Sequence, residues 1–217
     1  RYWTVNVKGS NTFFEVMESF ECRTIVFSSS AAVYGTSKDG IFSEESKPNP
    51  TNPYGFTKLS IEKLLEGYAK SKNSKWKVLN LRYFNPIGAH ESALIGEDPI
   101  KVENNLFPVI NRAAIGLEKK VSIYGNNWDT IDGTCVRDYI HIMDLAEAHV
   151  KGLNYLLSKE NCFFSINIGT GKGTTVLNLI NLFKKVNHCN FKTEFTNKRK
   201  GDVSKLIAHV NLATNLL

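Results

Sequence analysis

Short runs of consecutive apolar residues alternate along this chain with longer stretches in which apolar residues recur every three or four positions. Residues 11–20 carry Phe13, Phe14, Val16, Met17 and Phe20 at helical spacing. Residues 23–30 contain Thr-Ile-Val-Phe and end in three serines, a short strand with a polar tip. Residues 54–72 place Leu59, Ile61, Leu64, Leu65 and Tyr68 on or near one side of a helix, and residues 77–83 form a second apolar strand. Strands apolar on both faces and joined through helices are the pattern of a buried parallel sheet, so an α/β, doubly wound fold is expected.

Past Asn85-Pro86 the pattern loosens into a long loop over residues 91–105. A helix at 106–116, a strand at 121–124, a turn-rich stretch at 125–133 and a strand at 136–142 follow. A helix at 144–157, with Asp144 near its start, leads to a strand at 163–168, a glycine loop at 169–173 and a helix at 176–186. In such sheets ligands bind outside the carboxyl ends of the strands. Ser28-Ser29-Ser30 and Tyr83-Phe84-Asn85 occupy two such ends and face one crevice.

Composition removes several classes. Hydrophobic residues make up 42% and charged residues 22%, which excludes wholesale disorder. No apolar run approaches the roughly 18 residues of a membrane span, and the first residues, Arg1-Tyr2-Trp3, are not those of a signal peptide. The formal charge is +6, but the basic residues are scattered, so nucleic acid is not the expected partner. The one dense cluster, Lys198-Arg199-Lys200, runs straight into Gly201-Asp202 and reads as a small anion site. Cys22, Cys135, Cys162 and Cys189 show neither CxxC spacing nor pairing, which points to a reducing, cytoplasmic setting without zinc or disulfides. His141 and His149 read as packing or surface residues, and no metal site is expected.

Tyr54 and Lys58 carry the chemistry. On a helix, positions i and i+4 share a face, and a cation beside a phenol pulls its pKa down from about 10 toward that of a working base. Tyr34/Lys38, Tyr68/Lys72 and Tyr155/Lys159 share the spacing, but only Tyr54 sits at a helix start, behind Asn52-Pro53 and downstream of a serine-tipped strand. Ser30 then hydrogen-bonds a reacting hydroxyl while Tyr54 takes its proton.

The order Ser28-Ser-Ser30-Ala-Ala-Val-Tyr-Gly35, Asn52-Pro-Tyr-Gly-Phe-Thr-Lys58 and Leu81-Arg-Tyr-Phe-Asn-Pro86 resembles the extended short-chain dehydrogenase/reductases. Gly96-Glu-Asp-Pro99, Asn104-Asn-Leu106, Asp132-Gly-Thr and Val136-Arg-Asp-Tyr-Ile-His141 narrow the resemblance to the UDP-glucose 4-epimerases, over residues 2–202. The resemblance implies a partial NAD(P)-binding Rossmann fold with an interleaved, smaller substrate domain. Residues 1–84 would form the later part of the Rossmann domain, 85–134 a substrate-binding region, 135–169 a return to the Rossmann sheet, and 170–217 a second, truncated substrate-binding region. It implies Ser30, Tyr54 and Lys58 as catalytic residues. Asn6, Ser28, Tyr54, Lys58, Tyr83 and Phe84 would lie by NAD, with Lys58 holding the nicotinamide ribose. Ser30, Asn85, Asn105 and Leu106 would contact the UDP-sugar, Ser122 and Tyr124 would wall the uracil, and Arg137, Tyr139, Arg199 and Asp202 would clamp the diphosphate and ribose. The activity implied is NAD-dependent interconversion of UDP-galactose and UDP-glucose, in a homodimer formed through the helices at 11–20 and 54–72. Guanidinium groups suit a diphosphate well; the competing expectation for Arg137 is an ion pair with Asp138.

The family's nucleotide-binding glycine loop, GxxGxxG, is missing ahead of Asn6. The expectation is a fragment lacking roughly 80–100 N-terminal residues, which alone would not retain NAD, would be inactive and would leave a strand edge unpaired. The glycine loop at 169–173 fits neither phosphate-loop pattern and has a structural role in the family. Leu206 stands at the family's sugar-pocket gate, leaving UDP-N-acetylhexosamines open as alternative substrates; His209 replaces an aspartate without an evident reason. A 4,6-dehydratase is a second alternative, countered by Ala31-Ala32 where an acid/base pair is required. A third is an inactive module that only binds nucleotide sugars.

Overall fold

The computed structural model describes residues 1–97, 99 and 105–217. Three strands, β1 (Thr24–Ser28), β3 (Lys77–Tyr83) and β7 (Cys162–Ile168), pair in parallel in the order β1–β3–β7. Helices cover both faces, as the alternation of the sequence predicts. On one face lie α1 (Gly9–Ser19), which continues a π-helical segment at Trp3–Lys8, and α2 (Pro53–Lys70). There Phe14, Met17, Ile61, Leu65 and Trp76 pack against Val78, Ile25 and Phe27. On the other face, Leu145 and Leu156 of α4 (Ile142–Leu157) and Leu212 and Leu216 of α6 (Asn211–Leu216) pack against Leu79, Leu81, Ile166 and Ile168. Each such side chain contributes roughly 1.5–3 kcal/mol on burial.

Strand period explains which residue faces which helix: odd-numbered residues of β3 turn to α4 and even-numbered ones to α2. The even face turns polar toward the strand end. Arg82 is buried there and forms a two-pronged ion pair with Glu62 of α2, through Nε (3.0 Å) and an Nη (2.7 Å). The Ser29 hydroxyl donates to the same carboxylate at 2.5 Å. Arg82 also donates to the Tyr34 hydroxyl at 3.1 Å, and Tyr34 donates to Asn167 Oδ1 at 2.6 Å. Tyr34, read as a loop residue, is thus 1% exposed and stacked on Phe42. The apolar reading of β3 holds for its odd-numbered face only; on the other face Asn80, at the centre, and Arg82 are buried polar residues.

A second sheet has the parallel order β2 (Ile41–Phe42), β10 (Lys205–Ala208), β6 (Val136–His141), β4 (Asn85–Ile87), with β8 (Gly173–Thr175) antiparallel to β6. Of residues 135–169, therefore, β6 joins this second sheet, and only α4 and β7 return to the first. A parallel pair, β5 (Lys120–Tyr124) and β9 (Lys192–Thr196), carries α3 (Leu106–Ala114) and α5 (Val176–Val186) on its own core of Ile110, Ala113, Val121, Ile123 and Ile180. Residues 98 and 100–104 of the expected loop lie outside the described residues.

Two local features fix the start of α2. Asn52 caps it, its Oδ1 accepting from the Gly55 amide at 2.9 Å, with Pro53 in the first turn. Gly55 touches the 3-10 turn Ala31–Val33: an added Cβ would lie 2.3 Å from the Ala32 carbonyl oxygen and 2.9 Å from Pro50 Cβ. The helix α4 starts differently from expectation. Its cap is His141, whose Nδ1 accepts from the Met143 amide at 3.2 Å, while Asp144 lies within the first turn.

Gly55→Ala is expected to push α2 off the Ala31–Val33 turn and cost about 1–3 kcal/mol, read as a lower urea midpoint at unchanged slope. Glu62→Leu strands a buried guanidinium and is expected to cost about 3–5 kcal/mol. The double variant Glu62→Leu/Arg82→Met should recover a large part of that loss, and a strictly additive double-mutant cycle would contradict the pairing.

Candidate active site

Ser30, Tyr54 and Lys58 meet where β1 ends and α2 begins. Ser30 is extended, and its hydroxyl oxygen accepts from the Ala32 amide at 3.2 Å, capping the 3-10 turn. Tyr54 is half-buried, its ring edge-on to Tyr2 with centroids 5.9 Å apart. Burial pushes its phenol up to about 12; neighbouring Tyr83 and Tyr2 add to this, and a hydrogen bond with Ser30 opposes it. Lys58 Nζ donates to the Ser28 carbonyl at 2.8 Å and sits 5.6 Å from the Tyr54 ring centre and 5.0 Å from that of Phe27. Burial lowers the Lys58 pKa as well. The expectation that Lys58 pulls the phenol down is therefore not met in the protein alone: desolvation dominates, and the ammonium is engaged by a carbonyl.

The other tyrosine–lysine pairs are accounted for by packing. Tyr34 is in the buried network, Tyr68 packs against Trp76 at 5.0 Å, and Tyr155 packs on Phe164 with Lys159 over its ring.

Asn6 lies over the same helix start. Its amide donates to Thr57 Oγ1 at 3.0 Å, and Thr57 donates to the Tyr54 carbonyl at 2.7 Å, so the π-helical segment is tied to the turn that carries the phenol. Ser28 is held from both sides. Its carbonyl takes Lys58, and its hydroxyl lies 2.8 Å from His149 Nε2. His149 Nδ1 contacts the Leu145 carbonyl at 2.8 Å, and a carbonyl only accepts; in the neutral ring Nε2 is thus left to accept from Ser28. His149, read as packing or surface, is a polar neighbour of the site. Tyr83 is half-buried at the end of β3, its ring centre 6.4 Å from that of His149. Phe84, expected beside the cofactor, is 4% exposed and packs with Ala31, Tyr34 and Phe42 in the core.

A cavity of about 900 Å³ opens next to this cluster. Asn85, Asn105, Leu106, Ser122, Tyr124, Arg137, Tyr139, Arg199 and Asp202 all line it. These residues come from β4, α3, β5, β6 and the segment before β10. Ser30, Tyr54 and Lys58 do not line it but sit alongside, joined to it through Tyr83-Phe84-Asn85. Asn85 Oδ1 is buried with no hydrogen-bond partner among the described residues, an acceptor held ready for a donor. One Nη of Arg137 donates to the Val136 and Val203 carbonyls at 2.9 and 2.8 Å. Arg199 pairs with Asp202 at 3.0 Å and lies over the Tyr124 ring at 4.4 Å. Burial lifts the Tyr139 phenol to about 12, so it is neutral at the cavity wall.

Asp138 does not pair with Arg137. It is fully buried, and its carboxylate accepts from the Thr170, Gly171 and Ala208 amides and the Thr170 hydroxyl, at 2.6–3.1 Å. The glycine loop therefore binds a carboxylate of its own chain, which is the structural role expected of it. Leu206, expected to gate the sugar pocket, does not line the cavity; it packs against the Ala31, Val33 and Phe84 cluster. His209 is exposed, and its amide donates to the Phe42 carbonyl. Glu62, Thr57 and His149 were not read as site residues. The available signal was a carboxylate set between Ile61 and Leu65 on a buried helix face. Among the described residues there is no cluster of His, Cys, Asp and Glu able to hold a metal ion, and no helix is long and apolar enough to cross a membrane.

Residues 1–169 match the NAD dependent epimerase/dehydratase family. The chain is 42% identical over 212 residues to UDP-glucose 4-epimerase 2 of Arabidopsis thaliana, covering 98% of this chain and 60% of the relative. It is 42% identical over 208 residues to UDP-glucose 4-epimerase of Bacillus subtilis, covering 96% and 61%. Among solved structures, UDP-glucose 4-epimerase from Stenotrophomonas maltophila, with bound NAD and formylated UDP-arabinopyranose, superposes with a TM-score of 0.94 at 39% identity, covering 99% of this chain and 63% of that one. The enzyme from Bifidobacterium longum, in complex with NAD+ and UDP, gives 0.92 at 39% identity, covering 100% and 64%. The chain thus spans about 60% of the length of these curated relatives. With its parallel sheets, the serine, tyrosine and lysine brought together at a strand end, and homology over nearly its whole length, this chain belongs to the NAD dependent epimerase/dehydratase family.

Proposed function

We propose that this chain carries the catalytic residues and sugar-nucleotide site of an NAD-dependent epimerase that interconverts UDP-galactose and UDP-glucose. The observation that carries the reading is the meeting of Ser30, Tyr54 and Lys58 beside a cavity lined by Arg137, Arg199 and the orphaned Asn85 Oδ1. Homology to enzymes of that name supports it.

Tyr54 accepts the proton of the sugar 4-hydroxyl, and Ser30, hydrogen-bonded to the phenol, orients that hydroxyl. The donor set at the strand ends fits the nicotinamide end of NAD: an ammonium on Lys58, hydroxyls on Ser28 and Tyr83, and Asn6 bracing the helix start. Bound there, NAD would supply reversible hydride acceptance at C4, so no net oxidation would result. Arg137 and Arg199 hold the diphosphate, Tyr124 and Ser122 flank the base, and Asn85 accepts from a ligand hydroxyl or amide. A cavity of about 900 Å³ gives the nucleotide a place to stay anchored beside the reacting groups. Ala31, 2% exposed in the turn after Ser30, leaves no acid there for elimination, which disfavours a 4,6-dehydratase.

A homodimer is part of the same reading. Phe13, Val16 and Phe20 form an exposed stripe on and just past α1, and Phe56 of α2 is exposed as well. A second copy covers these helices. Four free cysteines support a reducing, cytoplasmic setting.

The test follows UDP-glucose formation from UDP-galactose in the complete protein. Tyr54→Phe is expected to lower kcat about 10²–10⁴-fold. Because burial holds the phenol up, its basic form grows as pH rises, so wild-type kcat should climb toward alkaline pH. That limb should be flat in Tyr54→Phe; a variant keeping most of the activity, or the same rising limb, overturns the base assignment. Phe13→Glu is expected to shift the sedimenting species from dimer to monomer at micromolar concentration, and an unchanged species would remove α1 from the interface.

A further inference from the structure

Two consecutive cations, Lys198 and Arg199, each lie over an aromatic ring from one stretch of chain. Arg199 lies over Tyr124, the last residue of β5, with its guanidinium carbon 4.4 Å from the ring centre. Lys198 lies over Trp128, its ammonium 4.2 Å from the ring centre. Tyr124 and Arg199 line the cavity; Trp128 and Lys198 do not.

The second pair is closed by further contacts. Trp128 Nε1 donates to the Tyr124 carbonyl at 2.9 Å, and Lys198 Nζ donates to the Asn127 carbonyl at 3.1 Å. The Gly125 amide donates to the Thr196 carbonyl at 2.8 Å, where β9 ends. Gly125 has a φ of +86°, and a Cβ there would lie 2.4 Å from Trp128 Nε1 and 2.8 Å from Lys198 Cγ. The turn is thus built around a residue without a side chain, so that indole and lysine stem close over it. The Trp128 amide donates to the Gly133 carbonyl at 3.0 Å, fixing the far end of the turn.

We propose that Trp128 and Lys198 are positioning residues: their clasp holds the Lys198–Asp202 segment against β5, keeps the Arg199 guanidinium over Tyr124, and so sets the affinity of the cavity for a nucleoside diphosphate. The proposal rests on the reading of the cavity as a UDP-sugar site. It assigns the clasp no contact with ligand. An arginine held in place before binding loses less freedom when it meets a diphosphate, and that gain vanishes when the segment is released.

The experiment measures UDP and uridine binding to the full chain by titration calorimetry for wild type, Trp128→Leu, Trp128→Tyr and Lys198→Met. Trp128→Leu and Lys198→Met are expected to raise the Kd for UDP about tenfold while changing that for uridine less than about threefold, because the lost effect is on the arginine facing the diphosphate. Trp128→Tyr, which keeps a ring face, is expected to bind UDP within about threefold of wild type. A general loosening of the fold would weaken both ligands equally and would overturn the proposal, as would unchanged UDP affinity in Lys198→Met, an exposed side chain whose loss does not threaten folding. Wild type that binds neither ligand defeats the nucleotide-site reading itself.

Discussion

One buried carboxylate joins the parts of this site. Glu62 lies on the inner face of α2, takes the hydroxyl of Ser29 and both prongs of Arg82, and is 3% exposed. Ser29 stands between Ser28 and Ser30, and Arg82 stands next to Tyr83. A single side chain on the helix bearing Tyr54 and Lys58 is therefore bonded to both strand ends that face them. An ion pair taken out of water earns little net stability compared with a well-packed apolar pair, but its geometry is demanding. What it provides here is registry: α2 has one position along the sheet that satisfies both partners.

Helices and strands around this pair were legible because their apolar periodicity is strong. The serine-tipped strand and the Asn52-Pro53 helix start are what set Tyr54 apart from the three other pairs, and the structure brings Tyr54 to Lys58 at that strand end. The nine cavity residues, drawn from five separate segments, could not be assembled from spacing; only the resemblance to a family grouped them. Glu62 and Arg82 were passed over for another reason. Each follows an apolar residue on an element whose periodicity assigns its neighbours correctly, and the pattern alone does not mark the charged exception as buried. The elements β2, β4 and β8 are two or three residues long and exist by pairing with distant strands, which a local pattern does not register. Nothing in spacing reveals burial either, and burial is what reverses the expected shift of the Tyr54 phenol.

Charge is partitioned in a consistent way. Asp138, next to Arg137 in sequence, faces the opposite side of β6 and is consumed by backbone amides of the glycine loop and of Ala208 in β10. Arg137 is left turned to the cavity, where its positive charge has no carboxylate of that strand to cancel it. The same alternation that places one residue in the core places its neighbour on the cavity side, and that neighbour's charge is what the proposed diphosphate contact draws on.

The small cluster around β5 and β9 has a core separate from those of the main sheet. Tyr124 and Ser122 belong to it, whereas Asn85, Arg137 and Tyr139 belong to the second sheet. A molecule touching both sets at once is a cross-link between two independently packed bodies. By linkage, occupancy then raises the resistance of the β5–β9 body to local unfolding, by an amount that grows with ligand concentration above Kd. If the proposed nucleotide is that molecule, its occupancy would be written into the amide-exchange rates of β5 and β9.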